Sequence, residues 1–141
     1  MGQKSVRIMA TRVSEFMREI VIELAVLQAL KVAYADGVLQ FNERERLERF
    51  LRDEVAGNIV AQGHLSRCLQ EYTRMFQSDV NQAKRHAMGV KIPPLDVEEK
   101  QLILKAAIKV GLAKKVMSFV ERDACKQTAR QLGLDPQNYD L

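Results

Sequence analysis

Asp36 and Glu43 stand seven residues apart across an Asp-Gly turn, inside the stretch VAYADGVLQFNERERLERFL that runs from Val32 to Leu51. Two carboxylates so placed could share a divalent cation, or each could serve the backbone. Calcium takes roughly six to eight oxygens, and an EF-hand supplies them from alternate loop positions plus a terminal glutamate. No other carboxylate lies between Asp36 and Glu43. The remaining ligands would have to be carbonyls, Gln40, Asn42, water or a distant segment such as Asp135 and Asp140, which describes a weak, water-rich site. The expectation we favour is a corner, in which Asp36 accepts turn N–H groups, Gly37 takes a positive φ, Leu39 enters the core and Glu43 caps the next helix.

The other residues able to do chemistry form no constellation. His64 and His86 are not spaced as helical metal ligands, and neither is expected to have a cysteine beside it. Ser118 has no Ser-His-Asp context, so a capping role is expected of it. Cys68 and Cys125 are far apart and lack zinc-finger spacing, which points to reduced thiols and a cytoplasmic protein. Glycines are scattered and no G-K-[ST] occurs, so there is no phosphate loop. Lys84, Arg85, Lys91, Lys105, Lys109, Lys114 and Lys115 could form a basic face that attracts phosphate-rich partners or an anionic membrane. Aromatic residues for base stacking are not interleaved with them, so nucleic-acid binding is not expected. No enzyme is expected, and no cofactor beyond the divalent ion weighed above.

These residues have to be positioned by helices. Apolar residues make up 47% of the 141-residue chain while aromatics contribute 6% and tryptophan none, a core mixture that favours helices over sandwiches. The net charge of +4 is modest, and acidic and basic side chains are interspersed as on solvated helix faces. No proline or glycine interrupts Lys4 to Ala35, whose apolar residues recur at steps of three and four. Its first part is amphipathic, giving an N-terminal segment over residues 1–18 that could pack on the domain, in a partner groove or on a membrane. From Ile20 onward nearly every residue is apolar, as in a central helix packed on all sides. Further helices are expected from Asn42 to about Glu54, from about His64 to Phe76, from Val80 to Met88, from the Asp96/Glu99 capping pair through Leu112, and from Phe119 to Leu132 with a C-cap at Gly133. Pro93-Pro94 cannot lie inside a helix and marks a linker.

Sliding the chain by 78 residues aligns ALKVAYADGVLQFNERERL, Ala29 to Leu47, with AIKVGLAKKVMSFVERDAC, Ala107 to Cys125. The repeated unit is helix, tight turn, helix. In the second copy Ser118 and Glu121 make an S-x-x-E capping box, and in the first Gln40 replaces the serine so that only Glu43 is retained. Cys125 takes the place of Leu47, a core position. The fold class expected is all-α, one helical bundle over residues 19–141 with repeats at about 20–57 and 96–135.

On ADGVLQFNERERLERFL and the later KQTARQLGLDPQNYDL, the chain resembles the TerB family of tellurite-resistance proteins. The resemblance implies an all-helical domain of two related hairpins with no established catalysis. It also implies a role in chemical-stress responses, divalent-metal binding by acidic residues near the turns, and assemblies at the inner face of the membrane. Its carry-over is limited to Asp36, Gly37, Glu43 and Glu121. Where the family pattern has a second Asp-Gly turn this chain has Lys114-Lys115, so a second acidic site is not expected, and the lysines are expected near Glu121 or the first turn. The resulting expectation is a non-enzymatic, partner-binding module of a stress-response assembly. The alternative is a membrane-surface or anion-binding adaptor peripheral to the inner face.

Overall fold

The computed structural model describes residues 18–37, 39–114 and 116–141, with Lys114 described by its backbone. The expected amphipathic segment at the N-terminus falls outside these residues but for Arg18. Among the described residues there are six α-helices and no strand. They are α1 (Glu19–Ala33), α2 (Phe41–Glu54), α3 (Ile59–Ser78), α4 (Val80–Gly89), α5 (Val97–Gly111) and α6 (Phe119–Gln131), with 3-10 turns at Leu112–Lys114 and Pro136–Tyr139.

Helix α1 is the axis of the bundle. From Val21 to Ala33 every residue except Glu23 is buried, which its run of apolar side chains on all faces requires. It packs most extensively against α5 and also against α3, α6, α2 and α4. The outer helices bury one stripe each: Leu47 and Leu51 from α2, Leu65, Leu69 and Phe76 from α3, Ile103, Leu104 and Val110 from α5. Tyr34 at the end of α1 stacks on Phe76 with ring centroids 5.0 Å apart.

Two polar side chains of α1 are enclosed with the apolar ones, and both are bonded. Gln28 donates to the Ala87 carbonyl at 2.9 Å and accepts from Thr128 Oγ1 at 3.1 Å. Lys31 Nζ donates to Gln131 Oε1 at 2.8 Å, and Gln131 in turn donates to the carbonyls of Ala87 and Met88. The last carbonyls of α4, which have no partner within their own helix, are thus satisfied from α1 and α6.

Helix ends follow local chemistry. Asp96 and Glu99 open α5 with a reciprocal cap, Glu99 N–H to Asp96 at 2.8 Å and Asp96 N–H to Glu99 at 3.0 Å. Gly133 follows α6 with φ +74°. Helix α3 begins five residues before the expected His64, because Asn58 Oδ1 accepts the Ala61 N–H at 2.9 Å and starts the helix there. Residues 90–96, around the two prolines, are extended and lay Ile92 and Leu95 on the core. Arg18 clasps this segment, bonding Glu99 through two nitrogens at 2.6 and 2.8 Å and the Pro94 carbonyl at 3.0 Å. The C-terminal turn is held by Gln101 to Tyr139 and by Arg122 to the Asp140 carbonyl.

Candidate functional site

The turn between α1 and α2 is closed by its own backbone. Ala35 N–H reaches the Val32 carbonyl at 3.0 Å and Gly37 N–H the Tyr34 carbonyl at 2.8 Å. Gly37 has φ +96°, a region that side chains strain against, so the glycine is what lets the chain double back. Leu39 then drops onto the core as a half-buried residue. Asp36 is exposed. Glu43, the third residue of α2, is wholly buried and accepts the Gln40 N–H at 2.9 Å, and the Gln40 side chain accepts the Glu43 N–H in return, so the reciprocal box expected to be lost in the first copy is present.

The turn between α5 and α6 has another construction and the same outlet. A 3-10 turn at Leu112–Lys114 leads to Met117, which is buried where its side chain lies against the Cα of Gly111. A Cβ at Gly111 would stand 2.9 Å from Met117 Cε, the far end of a flexible side chain that would have to shift to admit it. Ser118 and Glu121 then form the reciprocal box, Ser118 N–H to Glu121 Oε1 at 3.0 Å and Glu121 N–H to Ser118 Oγ at 3.2 Å. Glu121 is also wholly buried, and its Oε2 has no hydrogen-bond partner among the described residues. Each elbow therefore seats a carboxylate under a helix N-terminus, where exposed amides and the helix dipole favour negative charge.

Beside exposed polar residues such as Asp36, Gln40 and Ser118, the elbows leave large apolar side chains outside. Phe41 and Phe119, the first residues of α2 and α6, are 81% and 77% exposed, and Val116 is 79% exposed. Val120 and Leu112 are exposed as well. Asn42 Nδ2 donates to the Ala113 carbonyl at 3.3 Å, tying the start of α2 to the second elbow. Both phenylalanines thus belong to the same end of the molecule. Residues 21–141 match the family model for tellurite resistance protein TerB. The chain belongs to the TerB family. No curated protein and no solved structure gives a significant match.

The metal that the family resemblance implies would fall to Asp36 and Glu43 at the first elbow. Their oxygens are of the class a hard divalent ion takes, and one oxygen of Glu43 is already engaged by the Gln40 N–H. In this TerB-family chain the basic residues are dispersed over several elements. Lys105 and Lys109 lie one turn apart on the exposed side of α5, Arg85 and Lys91 are exposed at the end of α4 and just beyond it, and Lys84 reaches back to the Ala35 carbonyl at 3.5 Å. The side chains of Lys114 and Lys115 fall outside the described residues. No described helix is long and apolar enough to cross a membrane.

Two features escaped the sequence, the burial of Lys31 and the contact between His64 and Cys68, whereas the burial of Cys125 at a core position was expected. Lys31 is only 2% exposed, and burial lowers its ammonium to about 8. Cys125, wholly buried near it, is pushed up to about 12 by burial and is a free thiol, as is Cys68. The expectation that neither histidine has a cysteine beside it is wrong for His64. Its Nε2 lies 3.5 Å from Cys68 Sγ. The signal was available in the spacing, because residues four apart on a helix share one face.

Proposed function

We propose that this TerB-family chain is a non-enzymatic helical module that binds protein partners within a stress-response assembly of the tellurite-resistance kind. The observation that carries this reading is the pair of phenylalanines at the helix starts, each about four-fifths exposed, with Val116 and Val120 beside the second. Isolated exposed apolar residues are common on soluble domains, whereas several large ones gathered at one end mark a contact surface. Phe41→Ser/Phe119→Ser tests the proposal: partners captured by the natural protein from its host should be lost by a variant that melts normally. An unchanged set of captured partners would overturn it.

Within the same reading, a weakly held divalent ion at the first elbow would be bound by Asp36 and Glu43, with Glu43 Oε1 remaining on the cap. Titration with magnesium, calcium and manganese should then show saturable binding that Asp36→Asn abolishes. A second reading, an adaptor for an anionic membrane surface, is favoured by the exposed pair Lys105 and Lys109. Salt-sensitive sedimentation with anionic liposomes would support it, and no attachment at low salt would refute it.

A further inference from the structure

Three side chains of metal-ligating type converge where α1 packs on α3. Glu23, His64 and Cys68 each present one ligand atom, and the three atoms all lie within 4.8 Å of one another. His64 and Cys68 sit one turn apart on α3, while Glu23 is the single residue of the buried run of α1 that is not enclosed. Glu23 and His64 are half-buried and Cys68 is buried, which leaves the cluster reachable from solvent on one side and dry on the other. We propose that Glu23, His64 and Cys68 form a binding site for a borderline-soft divalent transition metal, with zinc as the ion it fits best.

The donor set decides the class of ion. One sulfur, one imidazole nitrogen and one carboxylate oxygen suit zinc and its neighbours, whereas calcium and magnesium take oxygen ligands. Zinc binds sulfur at about 2.3 Å and nitrogen or oxygen at about 2.0–2.2 Å, which places tetrahedral ligands roughly 3.3–3.7 Å apart. The His64 Nε2 to Cys68 Sγ distance of 3.5 Å already has that value. The carboxylate of Glu23 has to move in by about 1.5 Å at most, within the reach of a half-buried side chain whose terminal torsion is soft. Three protein ligands leave the fourth position to water, the arrangement of an open site.

The surroundings favour a cation and set the proton balance. Burial pushes the Cys68 thiol up to about 12, with Glu23, Glu71 and Glu19 adding to it and Arg67 opposing, so at neutral pH the sulfur holds its proton until a metal displaces it. Arg67 Nη2 lies 3.4 Å from His64 Nδ1, and since arginine only donates, that contact suits the imidazole tautomer with its proton on Nε2, facing sulfur. Binding therefore releases the thiol proton to solvent and shifts the imidazole proton to Nδ1, with the exposed Arg67 turning away. The site is separate from Asp36 and Glu43, and its failure would leave the elbow reading untouched.

Cobalt(II) provides the direct test, because a thiolate ligand gives a near-ultraviolet charge-transfer band and a four-coordinate centre gives intense visible bands. The reduced 141-residue chain is expected to bind one equivalent of cobalt with both signatures and to exchange it for zinc. Cys68→Ser and His64→Gln should each remove the bands and weaken zinc binding by more than about a hundredfold, while Cys125→Ser and Asp36→Asn should keep them. Circular dichroism establishes that each variant is folded, and His64→Gln, at a half-buried position, serves if Cys68→Ser is not. Absence of saturable cobalt or zinc binding, or bands that survive both Cys68→Ser and His64→Gln, would overturn the proposal.

Discussion

Replacing Lys31 with methionine should stabilise the fold at neutral pH and cease to do so in alkali. The ammonium of Lys31 is 2% exposed, has Gln131 as its bonded partner, and is lowered by burial from the ordinary 10.5 to about 8. That drop corresponds to about 3 kcal/mol of penalty on holding the charge inside. A lowered lysine binds its proton more tightly in the unfolded chain, so the penalty is complete below pH 8, shrinks as pH rises from 8 to 10.5, and is absent above. Methionine has similar length and no charge, but it leaves Gln131 Oε1 without its donor. Gln131 is half-buried, so that loss costs about 1–2 kcal/mol. The expected net gain is about 1–2 kcal/mol at pH 7, turning into a loss of about 1–2 kcal/mol above pH 10.5. Guanidinium unfolding followed by far-ultraviolet circular dichroism at a series of pH values measures it. Both proteins should lose stability above the ordinary thiol value of 9, because Cys68 and Cys125 are each pushed up to about 12. That common loss largely cancels in the difference. A variant less stable at pH 7, with a difference that does not change with pH, would show that the Lys31 charge is not penalised and would refute the reasoning.

Three further outcomes follow from the same physics. Ser118→Ala should lower stability by about 1 kcal/mol, since it removes the hydroxyl that accepts the Glu121 N–H, and an unchanged denaturation midpoint would count against the capping role. Gly37→Ala should destabilise by about 1 kcal/mol or more, because its Cβ meets open space but its φ of +96° strains any side chain, so calorimetry showing an equal or higher melting temperature would contradict the turn geometry. Arg18 holds the Glu99 carboxyl below its ordinary 4.5, so this pair contributes stability that is present above that value and lost as pH falls through the folded one. Glu99→Gln should therefore flatten the acid limb of the stability profile.

The sequence disclosed the elements wherever one residue decides locally. The unbroken apolar run from Ile20 named the buried axis, Pro93-Pro94 named the irregular stretch, and Asp96, Ser118 and Gly133 marked helix ends that the structure places within a residue or two. The start of α3 was missed because Asn58 was not read as a cap. The polar thread through Gln28, Lys31, Thr128 and Gln131 could not be seen, because its bonds join residues as much as 100 apart. In the candidate sites, Glu43 and Glu121 were legible as caps from the repeat. His64 and Cys68 were legible in spacing yet passed over, and Glu23 joins them only through the packing of α1 on α3. The exposure of Phe41 and Phe119 inverts the usual inference from aromatic residues, and only the direction of the first helical turn reveals it.

Quantitative affinity capture from tellurite-stressed host cells, with the natural chain and Phe41→Ser/Phe119→Ser expressed at matched levels, bears most directly on the elbow surface. Partners enriched by the natural chain should fall to background with the variant while its melting temperature stays within the range of ordinary surface substitutions. Equal enrichment by both proteins would show that the exposed phenylalanines are not the contact, and the proposed docking surface would have to be abandoned.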